Sequence, residues 1–141
     1  MRDPRTARRW IWAALALQLG GLVYDAVWHG FVHPGFEPGT RREMAVHLIT
    51  VHLPLYVGVV SVFVTTAWAF AEEARRSRAG AAWWVAISGA LLSVTGEAWH
   101  AVTHLQLSAH AGAVAGSLAG LGLVLVAAAV WRAGRDPRRA A

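Results

Sequence analysis

Residues Gly96 to Leu105, with the sequence GEAWHAVTHL, carry three metal-ligand side chains at helical spacing. Glu97, His100 and His104 follow the pattern i, i+3, i+7, and residues three or four apart lie on one face of an α-helix. The flanking sequence is apolar enough to lie within a bilayer. Ionisable groups are costly there, so they normally pair, bind a ligand or line a path. The stretch therefore predicts a membrane-spanning helix with a stripe of ligands.

A similar Trp-His-x-x-x-His stretch begins 71 positions upstream, at Trp28. Trp12 and Trp83 are related by the same offset. An acid precedes each copy, Asp25 in the first and Glu97 in the second, although its position is displaced by one residue. We interpret the pattern as a weak internal repeat, which predicts two tandem helical hairpins related by a pseudo-twofold axis. The alternative is chance recurrence of Trp and His in a biased chain.

The composition is typical of a membrane protein. Of the 141 residues, 56% are hydrophobic and 15% are charged, whereas soluble domains carry about 25% charged residues. The length suits a single domain over residues 1–141. The chain has no cysteine, which excludes disulfides, iron–sulfur clusters and thiolate ligands. A bound metal ion would therefore have nitrogen and oxygen ligands, which suit Zn, Fe, Mn or Cu(II).

Four apolar segments are long enough, at 1.5 Å per residue, to cross the hydrocarbon layer of a bilayer. They predict an all-α membrane protein, a bundle of four transmembrane helices at about residues 10–33, 42–70, 81–104 and 109–131. Pro54 lies inside the second segment, where a proline removes a backbone hydrogen bond and predicts a kink.

The arginines predict the orientation of this bundle. All thirteen basic residues are Arg, and eleven of them lie in the N-terminal arm, the 72–78 connector or the C-terminal tail. Only Arg41 and Arg42 lie on the other side. The positive-inside rule therefore predicts a multi-pass cell-membrane protein with both termini cytoplasmic. Because the arginines flank apolar segments rather than one face of a soluble domain, we exclude nucleic acid as a partner.

The last apolar segment carries a face of small residues that predicts close contact with another helix. Gly112, Gly116 and Gly120 recur every four residues, a pattern that lets helices approach closely. The face would serve either the neighbouring helices of the same chain or a second copy in a homo-oligomer.

Ligand-type side chains are expected together at the extracytoplasmic end of the bundle. They are Asp25, His29, His33, Glu43, His47, His52, Glu97, His100, His104 and His110. Two of them also suit local backbone roles: Glu43 can form a capping box with Thr40, and His33 precedes Pro34, which favours a helix edge. His47 and His52 are about 140° apart on a straight helix, so they meet only if the helix is distorted near Pro54.

The number of ligands predicts a transition-metal site. Ten side chains exceed the four that one tetrahedral ion takes, so we expect two or more ions of Zn, Fe or Cu. Glu97-x-x-His100 resembles the Glu-x-x-His motif of di-iron and di-manganese bundles once, although the other helices carry acid-x₃-His instead. The alternative is a buried hydrogen-bond network without metal.

Three functions remain open from the sequence. The first is a membrane metalloenzyme, an oxidoreductase or a hydrolase acting on a small or lipophilic substrate, with Glu97 or Asp25 as general base. The second is a haem-b electron carrier with two axial histidines, against which the carboxylates argue. The third is a metal sensor or carrier without catalysis.

Overall fold

The computed structural model describes residues 4–36, 38–76, 79–107 and 112–135. Within these ranges the protein is all-helical, as predicted. Its five helices are α1, Pro4–Val27, continued by a π-helical turn at Trp28–Val32; α2, Arg41–Thr50; α3, Leu53–Arg75; α4, Ala81–Leu105; and α5, Gly112–Gly134.

Three segments are long and apolar enough to cross a membrane: Arg5–Val32, Leu53–Arg75 and Val114–Gly134. The protein therefore has the helices of a membrane protein. The remaining long helix, α4, has 25 residues but is not one of these three segments. Four spanning helices and the orientation of the termini stay predictions.

The helices pack mainly as two antiparallel pairs, α1 with α3 and α4 with α5, and α3 also contacts α4. A buried hydrogen bond joins the pairs, because Gln18 on α1 donates to the Ser93 hydroxyl on α4 at 2.8 Å. At the end of the bundle that holds the start of α1 and the end of α5, the core is an apolar cluster that includes Ile11, Val62 and Val126. Apolar packing therefore closes the bundle at that end.

Close helix contact depends on glycines other than Gly116 and Gly120. A Cβ on Gly21 would meet the backbone of Leu55, and one on Gly96 would meet Ala119 at 2.6 Å. By contrast, a Cβ on Gly116 or Gly120 would meet nothing within 4 Å. Those two glycines point away from the described neighbours, because α5 packs through its other face.

The second predicted helix is two helices rather than one kinked helix over 42–70. α2 ends at Thr50 and α3 begins at Leu53, with His52 as its N-cap residue and Pro54 in its first turn. Proline has no N–H to donate to the carbonyl four residues earlier, which here belongs to Thr50. The helix therefore breaks where the sequence predicted only a bend.

Candidate metal centre

Three histidines from separate helical segments meet at one point. His29 comes from the π-helical turn, His47 from α2 and His52 from the break before α3. The Nε2 atom of His47 lies 3.3 Å from the Nε2 atoms of both His29 and His52. All three residues offer ligand atoms within 4.8 Å of one another.

The spacing of these nitrogen atoms suits a metal ion. Zinc–imidazole bonds of about 2.0–2.1 Å at tetrahedral angles place two nitrogen ligands roughly 3.3 Å apart. The break between α2 and α3 makes this spacing accessible, because His47 and His52 would face different directions on a continuous helix. The structure thus supplies the distortion that the sequence required for these two residues to meet.

Hydrogen bonding alone does not satisfy the three rings. A neutral imidazole nitrogen carries either one hydrogen or one lone pair. The Nε2 atom of His47 faces two other Nε2 atoms, so it can form a good hydrogen bond to only one of them at a time. A cation accepts all three lone pairs together, which favours a metal site over a hydrogen-bond network.

Burial prepares two of these histidines to bind a cation. Burial, followed by the neighbouring His47 and His100, lowers the pKa of His52 to about 3. Burial, followed by His29, also lowers the pKa of His47. Both rings are therefore neutral at pH 7, and neutral imidazole is the form that binds metal.

Asp25, on α1, lies next to the three histidines. Its Oδ1 atom is 3.1 Å from the Nδ1 atom of His52 and 3.6 Å from the Nε2 atom of His29. The shorter distance is within hydrogen-bond range, yet neither atom of that pair forms a hydrogen bond with a described residue. We attribute this to the angle between the groups, since the distance alone would allow the bond. Asp25 can therefore orient His52 or bind a cation directly.

The stripe on α4 lies next to the cluster. The rings of His100 and His104 are 4.3 Å apart, and each is 5.7 Å from the ring of His52. Glu97 is only 4% exposed, and its Oε2 atom has no hydrogen-bond partner among the described residues. The structure thus brings both halves of the predicted ligand set to the same end of the bundle.

Two predicted ligands, His33 and Glu43, are not part of this group. His33 is exposed and its ring packs against Trp28 and Phe36, because the residue before a proline leaves the helical conformation. Glu43 forms the capping box with Thr40, so its carboxylate is engaged in capping α2. His110 lies outside the described residues.

Two aromatic residues border the site. Trp28 covers it, with ring centroids 4.8 Å from both His29 and His47. Tyr56 stacks on His52 at 6.0 Å and buries a hydroxyl group without a hydrogen-bond partner among the described residues. Sequence reasoning missed Tyr56, although its position four residues after His52 placed it on the same helical face.

Comparisons of the chain with protein-family models, curated proteins and solved structures find no match. The chemistry of the site is therefore inferred only from the types of its ligand side chains. Imidazole nitrogens with a carboxylate suit zinc, copper(II) and iron, and three histidines leave a fourth position for a carboxylate, a water molecule or a substrate.

Proposed function

We propose that this chain is a membrane metal-binding protein whose ion is held by His29, His47 and His52. The observation that carries the proposal is the pair of 3.3 Å separations between Nε2 atoms, which match the edge of a tetrahedral site. Asp25 borders the site, where its carboxylate can bind a cation or accept a hydrogen bond from His52 once an ion has fixed that ring.

We extend the proposal to four membrane spans, with α4 as the fourth. Its outward face carries exposed Trp84, Leu91 and Val102, which suits contact with lipid better than contact with water. Four spans with cytoplasmic termini place the histidines in the extracytoplasmic half of the bundle, as the arginine distribution favours.

A second ion would bind to the stripe of ligand-type side chains on α4. Glu97, His100 and His104 supply a carboxylate and two imidazoles beside the first cluster. A buried carboxylate without a partner is unfavourable, and a cation at this position offsets that cost. The complete centre is then multinuclear, with nitrogen and oxygen ligands.

Access to the first ion is from the loop side. A pocket of about 480 Å³ between Phe36 and α2 is lined in part by His47 and Arg42. The His29 side chain is also 34% exposed. Because the other end of the bundle is filled with apolar side chains, a small or lipophilic substrate would arrive at the ion from this side.

Within this proposal the favoured activity is that of a metalloenzyme. A bound ion activates water for hydrolysis or supports redox chemistry, and Glu97 or Asp25 can take up the proton as general base. A haem-b carrier is less well supported, since two axial histidines need no carboxylate ligand, whereas Asp25 lies 3.1 Å from the Nδ1 atom of His52. A sensor or carrier would use the same ligands without turnover.

Cobalt(II) binding tests the proposal. Co²⁺ reports tetrahedral histidine sites through its visible absorption, so the untagged wild-type protein should show intense bands on titration. The H47A variant should bind Co²⁺ at least about 100-fold more weakly, because it loses the nitrogen that faces both other ligands.

The matched control is H33A, which removes an exposed histidine outside the cluster and should keep wild-type affinity. Circular dichroism confirms that each variant is folded. Equal Co²⁺ affinity for wild type and a folded H47A variant would overturn the assignment.

A further inference from the structure

The ring of His52 separates two groups of candidate ligands. Its Nε2 atom lies 3.3 Å from the Nε2 atom of His47, and its Nδ1 atom lies 3.1 Å from the Oδ1 atom of Asp25. The residue is only 1% exposed. Both nitrogens of one imidazole therefore face ligand atoms that belong to different parts of the site.

The carboxylate of Asp25 lies on the Nδ1 side, with other ionisable groups near it. Asp25 lies within electrostatic range of His100, and Glu97 lies within electrostatic range of Asp25. The Nδ1 atom of His52, Oδ1 of Asp25 and Oε2 of Glu97 are all buried, and none of them forms a hydrogen bond with a described residue. Three buried polar atoms in this part of the site call for a common partner.

A cation fits this group better than a water molecule. Two carboxylates that share a buried site repel each other, so both stay ionised only when a positive charge is close. Such a charge would also take the lone pair of a deprotonated Nδ1 atom. Nitrogen and oxygen donors of this kind suit copper(II) and zinc.

We propose that His52 bridges two metal ions as an imidazolate. One ion binds its Nε2 atom together with His29 and His47, and the other binds its Nδ1 atom together with Asp25, Glu97 and His100. This inference rests on the proposed metal-binding function and specifies how its two ions are connected.

The proton balance of the bridge is simple. Neutral His52 carries one ring proton, and binding of the second ion replaces that proton, which leaves to solvent as H⁺. No electron is transferred. With metal–nitrogen bonds of about 2.0 Å on both sides of the ring, the two ions lie roughly 6 Å apart. The competing arrangement has one ion, with Asp25 accepting a hydrogen bond from Nδ1–H of His52.

Copper(II) with electron paramagnetic resonance distinguishes these arrangements. The untagged protein is loaded with Cu²⁺, and the bound copper is measured chemically. We expect about two equivalents, as a bridged pair requires. Because an imidazolate couples two Cu²⁺ spins antiferromagnetically, the low-temperature signal should account for far less spin than the copper content.

The E97Q variant keeps the size of the side chain but removes its charge. It should bind one Cu²⁺ with an ordinary mononuclear signal whose spin count equals the copper content. The H33Q variant, which changes an exposed histidine, should retain the coupled pair. Retention of the coupled pair in a folded E97Q variant would overturn the assignment of the second ion.

Failure of the bridge is distinct from failure of the metal site. One Cu²⁺ per wild-type chain, or two with full spin count, would overturn the bridge while leaving the metal-binding function in place. Binding of no Cu²⁺ to a folded wild-type protein would overturn both.

Discussion

Among single residues, His47 has the central position in the cluster. Its Nε2 atom is the one that approaches two other imidazoles, and the residue is only 5% exposed. It reaches this position because α2 is short and ends at Thr50. A buried, neutral imidazole in such surroundings can bind a cation but has little to gain from accepting a proton.

The lowered pKa values of His47 and His52 predict how stability depends on pH. Both rings are neutral in the folded protein but protonate near pH 6.5 when the chain unfolds, so acid favours the unfolded state. Stability is therefore complete above pH 6.5 and declines as pH falls toward about 3. For metal-free protein in detergent, we expect the melting temperature to fall by on the order of 5 °C between about pH 7.5 and pH 5.

Replacement of His52 provides the comparison. H52N removes the ring with the largest decrease in pKa, so its melting temperature should depend less on pH than that of the wild type. The exposed-site variant H33N should keep the wild-type dependence. A wild-type slope in H52N would show that other groups control the acid response.

Ligand spacing pointed to the histidines that lie together in the structure but could not select among the ten candidates. His29 and His33 are equivalent by spacing, yet only His29 joins the cluster, because Pro34 draws His33 out of the helix. Glu43 satisfied two patterns at once, a ligand and a capping box, and the structure forms the capping box. Local backbone rules therefore decided between residues that periodicity treats alike.

Among the helices, α4 and α5 pack closely against each other. A Cβ on Gly122 would lie 2.5 Å from the carbonyl oxygen of Gly89 and from the backbone nitrogen of Ser93. Neither backbone atom can move without displacing a helix. The absence of a side chain at Gly122 therefore sets the distance between the two helices.

The G122A variant should consequently be less stable. Overpacking costs about 1–3 kcal/mol, which exceeds the roughly 1 kcal/mol that alanine gains over glycine in a helix. Melting temperatures in detergent measure the effect. G120A is the matched control, because a Cβ at Gly120 has open space and should leave stability unchanged or raise it. Equal melting temperatures for both variants would contradict this packing.

Helix boundaries near Pro54 show where sequence reasoning was incomplete. The sequence predicts one helix over residues 42–70, and the proline predicts a distortion of unknown size. The structure separates α2 from α3 completely. The extent of the break depends on tertiary contacts, such as the approach of Gly21 to Leu55, that no local pattern contains.

For the whole molecule, the number of membrane crossings determines where the C-terminus lies. Three crossings, without α4, would place the two termini on opposite sides, whereas four place both in the cytoplasm. The apolar outward face of α4 and the arginine distribution favour four.

Cysteine labelling in intact cells tests this topology, since the chain has no native cysteine. With four crossings, an R41C variant should react with a membrane-impermeant maleimide, whereas A140C should react only after the membrane is permeabilised. Labelling of both R41C and A140C in intact cells would show that α4 does not cross the membrane.

The pairing of helices was anticipated only in outline. The repeat between the two Trp-His stretches predicted tandem hairpins, and α1 with α3 and α4 with α5 do pack as antiparallel pairs. The pseudo-twofold axis stays a prediction. The side chains that join the pairs, Gln18 and Ser93, carry no recognisable sequence signal, because an isolated polar residue in an apolar helix does not reveal its partner.

The metal content of the native protein tests the central claim most directly. The untagged wild-type chain is purified from membranes without chelator, and its bound metals are measured by elemental analysis beside the H47A variant. We expect at least about one equivalent of zinc, copper or iron in the wild type, and a small fraction of that amount in H47A. A folded wild-type protein without stoichiometric metal, even after incubation with each of these ions, would contradict the account.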